Sequence, residues 1–492
     1  MASRLRLLLL CLPLVALGAC SLNPATGERS FTAFMSREDE MKVGWKEHPK
    51  VLGAFGGAYV DRDLATYVES VGRRLAAVSE IKELPYTFTV LNDETVNAFA
   101  LPGGYVYVTR GLLALVDDEA QLAAVIAHEI GHITGRHTAQ RYSKAMATNL
   151  GINVLGVVAG LFGAPPGIST LASMGADLYL KGYSREQEME ADLLGVRYLA
   201  RAGYHTGAMT GFFHKLSAFK QLEAALVGDP EAAERFNLTS THPRTAERIE
   251  QAVRLANVAP VAAPRSGRAD YLTHIDGLVF GDDPFRGVRK GRHFVHPGLG
   301  IRFTLPPGFY MVNDKRRVIG RGSAGSLIVF DMEDSRKAAR AGDLAKYIAK
   351  DFGAGMSIRE VEPITVNDMP GVTGRGIHKI KEKTYDVRLV VVREGLERLY
   401  RFIFLTPPSL TARLATEMRR TTYSFRRLSA TEASSVRPLR LRVVRARPGD
   451  TPYSLAARMP MEAANLEWFA VLNGMRPDHS LAPGTLVKIV AE

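Results

Sequence analysis

The 492-residue sequence predicts an α+β chain in three parts: a mainly helical first half with a small antiparallel sheet, a strand-rich middle, and a small closing module. Three observations predict it. In the first half, Leu64, Tyr67, Val68, Val71 and Leu75 recur at helical spacing within residues 37–80, and helical patterns dominate 111–256. Short strands fall at 86–91 and 104–109. In the middle, residues 269–428 switch to alternating or β-branched runs at 301–305, 326–330, 385–392 and 398–405, with helices near 342–352 and 409–420. Two linker-like stretches, 257–268 and 429–437, separate the parts and leave 438–492 as the closing module.

Composition narrows the class. Hydrophobic residues make up 46% and charged residues 23%, an ordinary globular balance that excludes a mainly disordered chain, a polytopic membrane protein and a collagen-like fibre. Two cysteines exclude a disulfide scaffold and a Cys-based zinc finger. The net charge of +12 is uneven: residues 20–260 hold 23 basic and 27 acidic side chains, and 261–492 hold 38 and 24. The basic second half is either a solvated face or a surface for an anionic envelope polymer or lipid.

The first residues read as an address. Arg4 and Arg6 precede an apolar stretch too short to span a bilayer comfortably. It ends in Leu17-Gly18-Ala19-Cys20, which resembles the lipobox of bacterial lipoproteins. The resemblance implies removal of 1–19, acylation of Cys20, loss of Cys11 and, with Ser21 next, an outer-membrane lipoprotein facing the periplasm. An ordinary signal peptide or an anchor helix is the other reading of the same stretch. Either address makes nucleic acid an unexpected partner. Residues 20–36 are polar and irregular, a short tether.

The chemistry lies at His128-Glu129-Ile130-Gly131-His132. Asp117 or Asp118 can cap this helix, with Gln121 as a capping partner. The histidines are four apart, so both imidazoles leave one face, as two metal ligands require. Glu129 is adjacent, placed to hold a metal-bound water without displacing it. The flanks Val125, Ile126, Ala127, Ile130 and Ile133 bury the helix, and buried histidines and a carboxylate need a partner. A catalytic zinc wants a third protein ligand. Glu188 and Asp192 share a helix face at i, i+4, so Glu188 can ligate while Asp192 accepts from a ligating imidazole. Glu190 points about 200° away; it competes with Glu188 as the ligand.

HEIGH, the following Glu188…Asp192, and Thr241-His242-Pro243 with Arg248 together resemble the gluzincin family of CAAX prenyl proteases and HtpX-like peptidases, nearest the periplasmic β-barrel assembly-enhancing type. The resemblance implies a zincin domain over 37–256, one Zn2+ on His128, His132 and Glu188, Glu129 as base, and His242 and Arg248 around the tetrahedral intermediate. It places Asn97 and Ala98 beside the cleft as substrate-binding residues. His242 has two further readings, a zinc ligand at rest or a helix cap. The implied function is hydrolysis of misfolded or unassembled envelope proteins; a latched lipoprotein chaperone on peptidoglycan is the alternative. Residues 150–180 read as an apolar helical hairpin.

The closing module carries Gly449-Asp450-Thr451, Leu472-Asn473-Gly474 and Pro483-Gly484 in an order that resembles a βααβ LysM domain. That resemblance implies peptidoglycan as a partner. The middle part resembles PsbP-like proteins and carries no chemistry.

Overall fold

The computed structural model describes residues 20–146, 182–227, 242, 246–258, 261–314, 316–380, 382–461 and 463–492. The expected signal peptide at 1–19, the expected hairpin at 150–180, Thr241 and Pro243 lie outside the described residues. Contacts divide the chain into two compact units. One runs through Phe280 and takes in Arg440–Ala491; the other is Gly281–Leu439. The mixture of helices with one larger antiparallel sheet is the α+β class the sequence predicts.

In the first unit the stretch expected as an irregular tether is folded. Cys20–Leu22 pairs antiparallel with Arg29–Phe31, and Asn23, Ala25, Thr32 and Met35 are buried. Its polar composition reads as a leash because its partners are distant in sequence: Glu190 for Asn23 and Arg136 for Thr32. Ser36 then opens the Arg37–Ala54 helix with a reciprocal capping box to Asp39. The Arg62–Ala76 helix starts on Asp61 and buries Leu64, Val68, Val71 and Leu75, the expected apolar stripe.

The small sheet is mixed rather than antiparallel. Tyr105–Thr109 lies in the centre, parallel to Thr87–Leu91 and antiparallel to Ala98–Leu101. Gly103 and Gly104, at φ of 82° and 94°, turn the chain tightly between Ala98–Leu101 and the central strand, which fixes that pair as antiparallel. The outer position leaves Ala98–Leu101 with one free edge among the described residues.

Below the sheet runs the Glu119–Thr134 helix. Leu122, Ala123, Ala124, Ile126, Ala127 and Ile130 are all fully buried. Each buried Leu or Ile contributes roughly 1.5–3 kcal/mol of apolar transfer, so the helix is held from every side. It packs on the Arg62–Ala76, Arg185–Arg201 and Ala208–Val227 helices.

The closing stretch belongs to this unit. Leu439–Arg445 pairs with Leu486–Ala491, and Val279–Phe280 completes the sheet. Between the paired strands lie the Pro452–Ala456 and Asn465–Asn473 helices. Trp468 packs between Phe219 and Phe280. Lys215 and Lys488 are buried around Asp117.

The second unit holds a seven-stranded antiparallel sheet, from Tyr310–Asp314 at one edge to Arg359–Val366 at the other, and a four-stranded sheet around His293–His296 and Ile301–Thr304. Phe294, Phe303, Phe330, Phe402, Phe404 and Phe425 fill its core. The helix expected near 342–352 is a Leu344–Lys346 turn followed by π-helical Tyr347–Phe352. The helix expected at 409–420 is Pro408–Ser424.

Candidate metal centre

The Glu119–Thr134 helix, which carries His128, Glu129 and His132, starts where two acidic residues meet. The Asp118 side chain accepts from the Gln121 amide at 2.8 Å, while the Gln121 side chain accepts from the Asp117 amide at 3.0 Å. This satisfies two of the donors a helix start leaves free. From that fixed start the 3.6-residue turn brings His128 and His132 onto one face. Their Nε2 atoms lie 3.0 Å apart. Glu188 arrives from the Arg185–Arg201 helix, itself opened by a Ser184–Gln187 capping box. Its carboxylate stands 3.5 Å from His128 Nε2 and 3.6 Å from His132 Nε2. His242 Nδ1 closes the group, 3.2 Å from His128 Nε2 and 2.9 Å from Glu188. All four are buried.

Asp192 and Arg248 stand behind these groups. The Asp192 carboxylate is 2.9 Å from His128 Nδ1. Arg248 grips Asp192 with two nitrogens, at 2.7 and 2.8 Å, and reaches Glu188 with a third at 2.7 Å. Phe213 lies under its guanidinium. Glu190 is not in the group; it points to His137 and Asn23. Burial pulls the Glu188 carboxyl upward, but His242, His128 and His132 around it hold it well below the usual carboxylate range. Burial pushes Glu129 above that range, against the nearby His242.

The donor atoms fit zinc. Four ligands at about 2.1 Å in a tetrahedron stand roughly 3.4 Å apart; the spacings given above run from 2.9 to 3.6 Å, and one donor atom from each of the four residues lies within 4.8 Å of the others. If the His128 proton sits on Nδ1, 2.9 Å from the Asp192 carboxylate, its Nε2 presents a lone pair to a second imidazole nitrogen and to a carboxylate. Such lone pairs repel one another unless a cation lies between them. Glu129 Oε1 is buried and accepts no hydrogen bond among the described residues; His242 Nε2 is 3.4 Å away. An acceptor left open beside the donor group suits a base that waits for water.

Residues 63–256 match Peptidase family M48. They are an M48 domain. A Beta-barrel assembly-enhancing protease of Yersinia pestis is 31% identical over 247 residues, 49% of this chain and 48% of that protein. The Escherichia coli (strain K12) protein of the same name is 31% identical over 216 residues, 42% of each. Mitochondrial metalloendopeptidase OMA1 of Arabidopsis thaliana is 31% identical over 219 residues, 44% of this chain and 40% of that protein. The chain thus spans about half or less of the length of these relatives. The solution structure of cyanobacterial PsbP from Synechocystis sp. PCC 6803 matches at a TM-score of 0.22 and 11% identity, over 30% of this chain and 98% of that one.

Within the M48 domain the remaining residues singled out from the sequence are placed as follows. Asn97 is buried just before the outer strand; Thr109 Oγ1 accepts from its amide and donates to its carbonyl. Its side-chain oxygen has no partner among the described residues. Ala98 begins the strand with the open edge. A cavity of about 290 Å³ runs from Ala100 and Leu101 past Met41 and Leu84 to His132 and Tyr183. Tyr183 stacks on His132 at 3.8 Å. The sequence reading missed Tyr183 and His137. Tyr183 stands one residue before the Ser184 cap, and His137 is the third histidine of the HEIGH segment's continuation; those positions were the available signals.

Proposed function

We propose that the chain is a zinc-dependent metalloendopeptidase of the bacterial cell envelope that hydrolyses misfolded or unassembled envelope proteins. The observation that carries this reading is the convergence of His128, His132 and Glu188 beside Glu129, whose Oε1 accepts no hydrogen bond among the described residues, near the unpaired edge of the Ala98–Leu101 strand. His128, His132 and Glu188 would hold the zinc, which supplies polarisation of the scissile carbonyl and acidification of a water. Glu129 takes the proton of the attacking water and hands it to the leaving amine; its raised proton affinity suits both halves of that task. Ala98–Leu101 takes an extended peptide as an added strand. Main-chain pairing tolerates many sequences, so unfolded chains are the natural substrate class. Arg248 is engaged by Asp192 and Glu188, which supports a positioning role for it and leaves His242 as the candidate to face the reacting carbonyl oxygen when substrate is bound.

His242 also supports a resting latch. Its Nδ1 stands among the zinc-facing atoms, so it competes for the position that water and substrate need. A permanent latch would make the chain a chaperone rather than a protease. The relatives named as proteases favour catalysis. Acylated Cys20 would anchor the chain to the outer membrane, and the closing module would add peptidoglycan contact.

The experiment is metal analysis of the purified chain with casein cleavage in parallel. One zinc per chain with cleavage that chelator abolishes is the expected result. Zinc without cleavage, unchanged by His242→Ala, would establish the chaperone reading. For the address, Cys20→Ala should leave the membrane fraction or remain unprocessed, and binding of that variant to sacculi should persist at high salt if a glycan rather than charge is recognised.

A further inference from the structure

The turn that ends the active helix is strained and heavily braced. Gly135 caps the Glu119–Thr134 helix, and Arg136 follows at φ of 54°. A non-glycine residue in that region costs free energy and persists where the surroundings over-determine it. Here they do. Arg136 donates to the Met35 carbonyl at 2.8 Å and reaches Thr32 and Glu40 at 3.4 and 3.2 Å. All three braces come from the N-terminal segment.

The turn folds His137 back beneath His132. Their Nδ1 atoms are 2.8 Å apart, and the His137 side chain is 0% exposed. His137 Nε2 is buried 3.3 Å from one oxygen of Glu190, within ion-pair range but outside hydrogen-bond geometry, and the other Glu190 oxygen accepts from Asn23 at 2.6 Å. The polarity of this chain follows from one requirement. If His132 presents its Nε2 lone pair to a metal, its proton is on Nδ1 and is donated to His137. His137 then carries its own proton on Nε2, facing the Glu190 carboxylate. No group in the series is left with two donors or two acceptors opposed. Asp192 does for His128 what this longer series does for His132.

We propose that His137 and Glu190, completed by Asn23 and held in place by the Arg136 turn, are positioning residues that fix the tautomer and ring orientation of His132 as a zinc ligand. The proposal rests on the reading of His132 as a ligand. It gives Glu190 a task despite its place half a turn from Glu188, and it makes the N-terminal segment a working part of the metal centre. Removing such an outer partner weakens metal affinity 10- to 100-fold.

The test titrates zinc alone into the zinc-free full chain against a chromophoric chelator, with thermal unfolding of each zinc-free variant alongside. His137→Phe and Glu190→Ala should weaken zinc 10- to 100-fold, and His137→Gln, which can accept and donate at similar positions, should recover most of the loss. Gly135→Ala is a separate probe, because a Cβ there would stand 2.4 Å from His137 Nε2 while the φ of −70° suits alanine. It should weaken zinc by displacing the His137 ring while removing no polar side chain. The absorption spectrum of the cobalt-substituted chain should shift in the same variants. A His137→Phe chain that binds zinc within twofold of the parent overturns the proposal; if that variant fails to fold, Glu190→Ala and Gly135→Ala decide by the same criterion. A loss of zinc-free stability with unchanged zinc affinity also overturns it, by showing a purely structural role. If the parent chain binds no zinc, or His132→Ala binds it as well as the parent, the reading of the metal centre falls first and the positioning role with it.

Discussion

The Lys488 ammonium donates to the Val116 carbonyl at 2.7 Å. Its nitrogen also lies within hydrogen-bond distance of the Ala114 and Leu115 carbonyls, at 3.0 and 3.1 Å, so it meets three carbonyls at the end of the Arg110–Leu115 helix. These are carbonyls that no helical amide satisfies; burial and the neighbouring Lys215 pull the Lys488 pKa well below the usual lysine range, against Asp117, so it serves them first as a hydrogen-bond donor. Two residues further on, Asp118 caps the active helix. The last strand of the chain therefore braces the start of the helix that carries the histidines.

Replacing Lys488 by Met should destabilise the first unit by about 2–4 kcal/mol, since three buried carbonyls lose their shared donor. Denaturant unfolding followed by tryptophan emission measures it. An unchanged midpoint would mean that the closing stretch is an appendage.

Lys215 shares Asp117 with Lys488, and burial lowers its pKa to about 8 despite that carboxylate. The unfolded lysine holds its proton up to about 10.4. Between these values the unfolded state binds more protons, so this residue makes stability rise with pH. The stability of the parent relative to Lys215→Met should therefore climb between about pH 8 and pH 10.5, by on the order of 3 kcal/mol. Equal slopes for the two chains across that window would contradict the assignment.

Glu129→Gln should keep zinc and lose at least about a hundredfold in peptide cleavage. Glu188→Ala should lose more zinc than Glu190→Ala, because only Glu188 faces both Nε2 atoms. Metal content and turnover of the three variants check both statements.

His242→Ala should raise casein cleavage severalfold if the imidazole competes for the open zinc position, and zinc content should stay at one per chain. Reduced cleavage would instead assign His242 to the reacting carbonyl oxygen.

Much of the centre is legible from local periodicity. His128 and His132 four apart, Glu129 between them, and Asp192 one turn beyond Glu188 all follow from the pitch of a helix. What is not legible depends on long-range closure. His137 lies past the helix end, and only the left-handed Arg136 turn brings it under His132. Lys488 alternates with Val487 and Ile489 as a solvent-facing position would, yet it is 0% exposed, because its carbonyl partners lie more than 370 positions earlier. The mixed sheet escapes notice for the same reason: two strands show alternation, but not which of them takes the centre.

Asn23, buried against Glu190, lies three positions after Cys20. Three residues reach about 10 Å at full extension, and Cys20–Leu22 is already committed to a strand pair. A lipid on Cys20 would thus moor the peptidase almost directly to the bilayer, with no slack to explore the compartment. Its working volume would be a thin shell at the membrane face. Position rather than sequence would then select which polypeptides it meets: those lingering at the surface, stalled before insertion or assembly.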